Sequence, residues 1–261
     1  MMPFMLIAGT NFALFWHVLR GEPRHLTDNA EFRSYLLAMV GFGAVISAVL
    51  FAGVGMAETP TNVDAVAGNL ENALRQGLFQ TIAIVTTTGY ASMDFNTWDA
   101  SAQTILLFAY FLGGSAGSAA GSVKIVRWVI AKRAVDRSLF VAAHPEAVSP
   151  VRLNEEAVDE DTIREVFVFV VVFVVLFAVS TMLLYLDSYR TPDLALSGLE
   201  AMSVAIATLG NVGPGFGPVG PMNSFLPFSD AAKLYMVFLM WIGRLEVLSV
   251  LVVFTPAFWD R

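Results

Sequence analysis

The sequence predicts an all-α integral membrane fold: two helix–re-entrant pore loop–helix repeats preceded by a partial N-terminal helix. Three observations carry this expectation. Long stretches hold no charge, in a chain that is 56% hydrophobic and only 14% charged. One order of segments occurs twice. In each copy, a short apolar stretch ends in a small polar turn. A soluble domain does not combine these features, because crossing about 30 Å of hydrocarbon takes roughly 20 apolar residues and soluble cores do not need such runs.

Residues 1–21, MMPFMLIAGTNFALFWHVLRG, have no basic leader and reach Arg20 without a small-residue cleavage site, so they do not resemble a signal peptide. They read as the end of a preceding membrane helix, which leads us to expect the later part of something longer. The first repeat is expected over 32–133. It has a charge-free span at 34–57, a shorter apolar stretch at 70–85, a polar turn at 86–91 and a second charge-free span at 100–123. Residues 134–165 are polar, contain Pro145 and Pro150, and carry the acidic run Glu155, Glu156, Asp159, Glu160 and Asp161. They are expected to form a cytoplasmic linker whose charges simply stay hydrated. The second repeat, 166–261, follows the same order. It has a Val/Phe/Leu span at 166–186, a short stretch at 194–207, a turn at 208–213 and a closing span at 231–258 interrupted by Arg244 and Glu246.

The two short stretches are too brief to cross a bilayer and too apolar for free loops. They read as re-entrant helices, tolerated where irregular backbone is buried in protein or lines water. Charge supports one orientation. Arg20, Arg24 and Arg33 precede the first span and Lys124, Arg127, Lys132, Arg133 and Arg137 follow the second, marking the cytoplasmic side. Glu58, Asp64, Asp94, Asp99, Asp187, Asp193 and Asp230 fall on the opposite side. The absence of cysteine excludes disulfides, thiolate metal sites and thiol catalysis. A net charge of −7 argues against a nucleic-acid partner. Membrane lipid is the expected surrounding.

Three motifs carry chemistry. The first repeat has Thr86-Thr87-Thr88-Gly89-Tyr90 after its short stretch, and the second has Thr208-Leu209-Gly210-Asn211. Each places glycine at a helix end, where backbone carbonyls can turn toward one axis and, with threonine hydroxyls, replace the water around an alkali cation. The negative end of the short helix dipole favours that cation. Taken alone, such a turn merely closes a helix; its occurrence twice, at matching places, favours the ion site. Next, Gly113-Gly114-Ser115-Ala116-Gly117-Ser118-Ala119-Ala120-Gly121-Ser122 lies inside a span. It is compatible with an unwound segment, since each glycine costs a helix about 1 kcal/mol, or with close helix packing through Gly113, Gly117 and Gly121. Lastly, Arg244 is an ionisable group within a span, which marks either a functional position or a structural arginine with its own partner. Glu246, two positions on, points away from it on a helix. The glycine-rich segment lacks the Gly-Lys-Ser/Thr ending of a phosphate loop. Ser115 has no base near it in sequence, because His17, His25 and His144 fall at ends or in loops.

On these residues the chain resembles the TrkH/KtrB/HKT superfamily of potassium transporters, and most closely its TrkH branch. Thr86 to Tyr90 is similar to the third of that family's four filter strands. Thr208 to Asn211, with Val212-Gly213 following, resembles the fourth, and residues 1–21 resemble the helix that closes the second unit. The resemblance implies K⁺ transport rather than enzymatic activity. It places K⁺ at the carbonyls of Thr87, Thr88, Gly89, Thr208, Leu209 and Gly210, with no covalently bound cofactor. It implies a gating loop over Gly113, Gly114, Gly117 and Gly121, ended by Lys124 and approached by Arg244. It also implies a homodimer, a cytoplasmic nucleotide-binding regulatory subunit, an N-terminal half that completes the pore, and residence in the cell membrane. The competing expectation is a non-conducting membrane enzyme or scaffold with re-entrant loops.

Overall fold

A computed structural model describes residues 1–58, 63–147, 149–154, 156–192, 194–245 and 247–259. Asp193, Glu155 and Glu246, singled out above, lie outside the described residues.

The chain opens with α1 (Met2–Ala8) and α2 (Phe12–Leu19), bent by 107° where one helix end was expected. The bend has local causes. The Asn11 side chain accepts the Ala13 N–H at 2.9 Å, capping a new helix. Gly9 lies so close to the Tyr35 hydroxyl that a side chain there would overlap it. A short helix, α3 (Arg24–Asp28), leads into α4 (Ala30–Phe51), whose 22 residues start at an Asn29 cap. Tyr35, Met39, Gly43, Ile46 and Leu50 form the buried stripe of α4, spaced three and four apart.

That stripe receives α5 (Leu70–Val85). The two helices meet through small residues: Gly43 faces Leu78, and Gly77 faces Ser47 so closely that a methyl at Gly77 would overlap the Ser47 hydroxyl. With 16 residues, α5 is about 24 Å long, short of a bilayer crossing. Its last turns, from Gln80 to Val85, are almost entirely buried.

The charge-free run at 100–123 is not one helix. Asp99 caps α6 (Ala100–Ala109), the backbone then runs without regular helix over 110–124, and α7 (Ile125–Ala143) begins after Lys124. Of the two readings of the glycine-rich segment, the unwound one holds. The expected linker is helical at both ends, since α7 continues to Ala143 and α8 (Glu160–Ser188) starts at Glu160. Arg137 on α7 pairs with Glu160 on α8, joining those ends. Between them, β1 (Arg152–Leu153) and β2 (Glu156–Ala157) form a small antiparallel hairpin.

With α8, the order of elements recurs. The short helix α9 (Gly198–Leu209) starts at a capping box of Ser197 and Glu200, so it begins later and ends later than the apolar stretch 194–207. It packs against α8 and against α10 (Asp230–Arg244). The closing span is also broken: α10 stops at Arg244, and α11 (Val247–Val253) and α12 (Pro256–Trp259) follow. Among the described residues, α4 and α8 are long and apolar enough to cross a membrane, and α1 with α2 counts as a third only as a bent pair.

Candidate functional site

The C-terminal ends of α5 and α9 come together, and their backbones follow one pattern. After α5, the N–H groups of Thr86, Thr87, Thr88 and Gly89 donate to the carbonyls of Ile82, Ile84, Ala83 and Ala83. After α9, those of Gly210, Asn211, Val212 and Gly213 donate to Ile206, Thr208, Ala207 and Ala207. The dihedral angles match position by position. Thr86 has φ −80° and ψ −4°, and Gly210 has −79° and −5°. Thr87 and Asn211 are left-handed at φ 53° and 54°, and Gly89 and Gly213 at 67° and 110°.

This register corrects the pairing read from the sequence. Gly89 corresponds to Gly213, not to Gly210. Thr208 and Leu209 belong to α9, where the Thr208 hydroxyl donates to the Val204 carbonyl at 2.8 Å and Leu209 is fully buried. The Leu209 carbonyl packs against α10, where a methyl on Gly243 would overlap it. The letters Thr-x-Gly align Gly210 with Gly89, whereas the helix ends are set by hydrogen bonding. The signal that would have found the register is the second glycine, Gly213, which stands three residues after Gly210 as Gly89 stands three after Thr86.

The paired glycines face each other: an ideal Cβ on Gly213 would lie 4.0 Å from Gly89 Cα, and one on Gly89 would overlap the Val212 carbonyl. Both positions need a left-handed backbone that side chains resist. Within the described residues, no hydrogen bond uses the carbonyls of Thr86, Thr87, Thr88, Gly89, Gly210, Asn211, Val212 or Gly213. Unpaired backbone oxygens concentrated at two helix C-termini form a cation-attracting surface. The threonine hydroxyls are used otherwise. Thr86 donates to the Ile82 carbonyl at 2.7 Å, and Thr88 contacts the Met5 sulfur at 3.2 Å. Tyr90 is half exposed, and Asn211 is anchored by its amide donating to the Met240 carbonyl at 3.1 Å.

Residues 110–124 lie against both turns. The Gly121 N–H donates to the Thr87 hydroxyl at 2.8 Å, and a methyl on Gly121 would overlap the Gly210 carbonyl. The segment is tied down at several points. Gly113 N–H donates to Val123 at 2.7 Å, and Ser115 N–H donates to the Gly9 carbonyl, in the bend between α1 and α2, at 2.8 Å. Gly114 packs on that same carbonyl, and Gly117, at φ 72°, faces Asn11. Lys124 reaches back to the carbonyls of Ser118 and Ala120.

Arg244, at the end of α10, donates from Nη1 to the Ala119 carbonyl at 2.7 Å. It thus has a partner in the segment itself, although it stands far from it in sequence. A cavity of about 320 Å³ opens beside this contact, lined by Gly117, Gly121, Lys124, Gly243 and Arg244. Sequence reasoning missed Glu31. Buried at 6% exposure in the first turn of α4, it accepts the Ala116 N–H at 2.6 Å. Its only sequence signal is a carboxylate just before a long apolar run.

The TrkH family model, described as cation transport protein, matches residues 1–261. The chain is 34% identical to the Trk system potassium uptake protein TrkI of Halomonas elongata, over 99% of this chain and 49% of that protein. It is 28% identical to TrkH of Salmonella typhimurium, over 98% of this chain and 49% of that one. The crystal structure of the potassium transporter TrkH from Vibrio parahaemolyticus superposes with a TM-score of 0.83 at 29% identity, covering 99% of this chain and 52% of that one. The chain spans about half the length of the curated relatives it matches.

Proposed function

We propose, from the premise that this chain belongs to the TrkH family of cation transport proteins, that it contributes two sides of a K⁺ pathway across the cell membrane. One observation carries the reading: the two turns after α5 and α9 share one backbone geometry, meet glycine to glycine, and leave their carbonyls unpaired. A K⁺ ion entering such a site exchanges hydration water for backbone oxygens, aided by the two helix dipoles. The ligands in this reading are the carbonyls of residues 86–89 and 210–213, with Thr208 and Leu209 acting as helix that holds the second turn. The segment 110–124, with Gly113, Gly114, Gly117, Gly121 and Lys124, is the gate beneath the turns, and Arg244 latches it while placing a positive charge beside the path.

Two turns enclose an ion on only part of its circumference. The other sides come from the N-terminal half of a longer chain or from a second copy. Assembly as a homodimer and docking of a nucleotide-binding regulatory subunit on the cytoplasmic face complete the proposal, in keeping with relatives named as parts of a Trk system.

The test is K⁺ against Na⁺ flux into liposomes, with this chain alone and with an added N-terminal half, after insertion is verified. Selective K⁺ flux with the half added supports the reading, and selective flux from the chain alone assigns the missing sides to a second copy. Inserted, folded protein that passes no cation in either preparation overturns transport in favour of a non-conducting scaffold.

A further inference from the structure

The bend after α2 gathers three side chains that the ion path does not use. Helix α2 ends in a left-handed Gly21, φ 87°, and the Glu22 N–H returns to the His17 carbonyl at 3.0 Å. This reversal, common at helix C-termini, folds Glu22 back over the last turn of α2 and starts α3 beside it. One carboxylate oxygen of Glu22 then stands 3.2 Å from His17 Nδ1 and 3.7 Å from His25 Nδ1. The two imidazoles stack with centroids 4.6 Å apart and planes 11° from parallel. All three candidate ligand atoms lie within 4.8 Å of one another.

We propose that His17, Glu22 and His25 form a binding site for a divalent transition-metal ion of the Zn²⁺ class. Tetrahedral zinc bound at about 2.0–2.1 Å places its ligand atoms roughly 3.4 Å apart. The two carboxylate–imidazole separations already bracket that value. The remaining approach, between the rings, needs only side-chain rotation, which is open to groups this exposed. Two neutral imidazole nitrogens and one carboxylate oxygen suit zinc and its neighbours in the first transition row, not Mg²⁺ or Ca²⁺, which take oxygen. Water fills the fourth position. Both nitrogens facing the carboxylate are Nδ1 atoms.

Such a site clips α2 to α3. The N-terminal end of α2 adjoins the bend whose Ala8 and Gly9 carbonyls receive the Ala119 and Ser115 N–H groups. Metal at the far end therefore stiffens an element on which the 110–124 segment rests.

The experiment is a Zn²⁺ titration of the tag-free, metal-stripped chain in nanodiscs at pH 7.5, read with a competing chromophoric chelator. X-ray absorption at the zinc edge is recorded on the loaded protein. One Zn²⁺ per chain is expected, with imidazole and carboxylate ligands near 2.0–2.1 Å. Binding should weaken at least about tenfold in each of His17→Ala, His25→Ala and Glu22→Gln, as loss of one of three protein ligands requires. His144→Ala is the control, because that ring stacks on Phe140 instead and its loss should leave affinity unchanged. No stoichiometric binding by the wild-type chain, an edge spectrum without imidazole, or full affinity in a folded His17→Ala/His25→Ala variant overturns the site.

Discussion

Replacing Gly213 by alanine tests the register on which the proposed ion site rests, with Gly210→Ala as its counterpart. At Gly213 the added methyl meets nothing closer than Gly89 Cα at 4.0 Å, so crowding is not the cost. The cost is backbone: φ is 110°, in territory that residues with a Cβ adopt only under strain of about 1–3 kcal/mol. The strain is relieved by rotating the peptides on either side, including the Val212 carbonyl that abuts Gly89. If that relief is taken wholly from cation coordination, the K⁺ over Na⁺ preference falls by roughly 5- to 150-fold, at 1.36 kcal/mol per tenfold. Gly210 differs, since its φ of −79° suits any residue, and a methyl there lies 2.8 Å from the Ile206 carbonyl and 3.4 Å from Ser122 Cβ. That carbonyl is backbone of α9 and has to give way, so the cost at Gly210 falls on the end of the helix, while no residue of the turn is forced out of its φ, and K⁺ over Na⁺ selectivity should change less than in Gly213→Ala. The assay is bi-ionic flux in proteoliposomes containing the chain and its N-terminal half. Gly89→Ser belongs with Gly213→Ala, since its φ is 67° and its Cβ would overlap the Val212 carbonyl. Lost selectivity in Gly210→Ala with unchanged selectivity in Gly213→Ala would refute the structural register and restore the pairing of Gly89 with Gly210.

Two further predictions concern the segment beneath the turns. Arg244→Ala removes the 2.7 Å bond to the Ala119 carbonyl and a positive charge beside the cavity, so K⁺ flux should rise and its dependence on voltage direction should change; equal conductance and rectification in the variant would remove Arg244 from the gate. Glu31→Ala deletes the acceptor for the Ala116 N–H, a charge-assisted bond of about 1.5–3 kcal/mol, and should shift the segment toward open states by roughly 10- to 150-fold, read as single-channel open probability. Unchanged open probability in folded Glu31→Ala protein would show that the tether does not hold the segment.

The parts of the fold legible in the sequence are those for which apolar length alone decides. The run at 70–85 is α5 to the residue, because Asn69 caps one end and Thr86 leaves the helix at the other. The Val- and Phe-rich run inside α8 is equally plain, since nothing in it competes with a helix. What hydropathy did not resolve is where an apolar segment breaks. Residues 1–21 read as one helix end, yet Asn11 starts a second helix because its side chain accepts the Ala13 N–H, one of the donors that the first turn of α2 leaves open. The run 100–123 is charge-free throughout, yet it unwinds where N–H groups find partners other than the carbonyls of a preceding helical turn, in the Gly9 carbonyl, the Thr87 hydroxyl and the Glu31 carboxylate. Those partners are distant in sequence, so no local pattern announces them.

The register of the second turn and the role of Glu31 likewise rest on contacts that residue letters do not carry. Residue letters report which side chains are available, whereas the turns after α5 and α9 are defined by which carbonyl each N–H reaches: Gly89 and Gly213 return to the residues that correspond in the two helices, Ala83 and Ala207. The two turns therefore share geometry while sharing only the final glycine, because Thr87 and Asn211 each adopt the left-handed position without being glycine. Asn tolerates that region better than most residues; Thr, being β-branched, does not, so Thr87 is held there by its surroundings, among them the Gly121 N–H on its hydroxyl. The consequence is a coupling: moving Gly121 away removes a restraint on Thr87, so displacement of the lower segment and the shape of the upper turn are linked through one hydrogen bond. Opening the segment at Arg244 or Glu31 should then loosen cation preference as well as raise flux, whereas a gate independent of the turns would change flux alone.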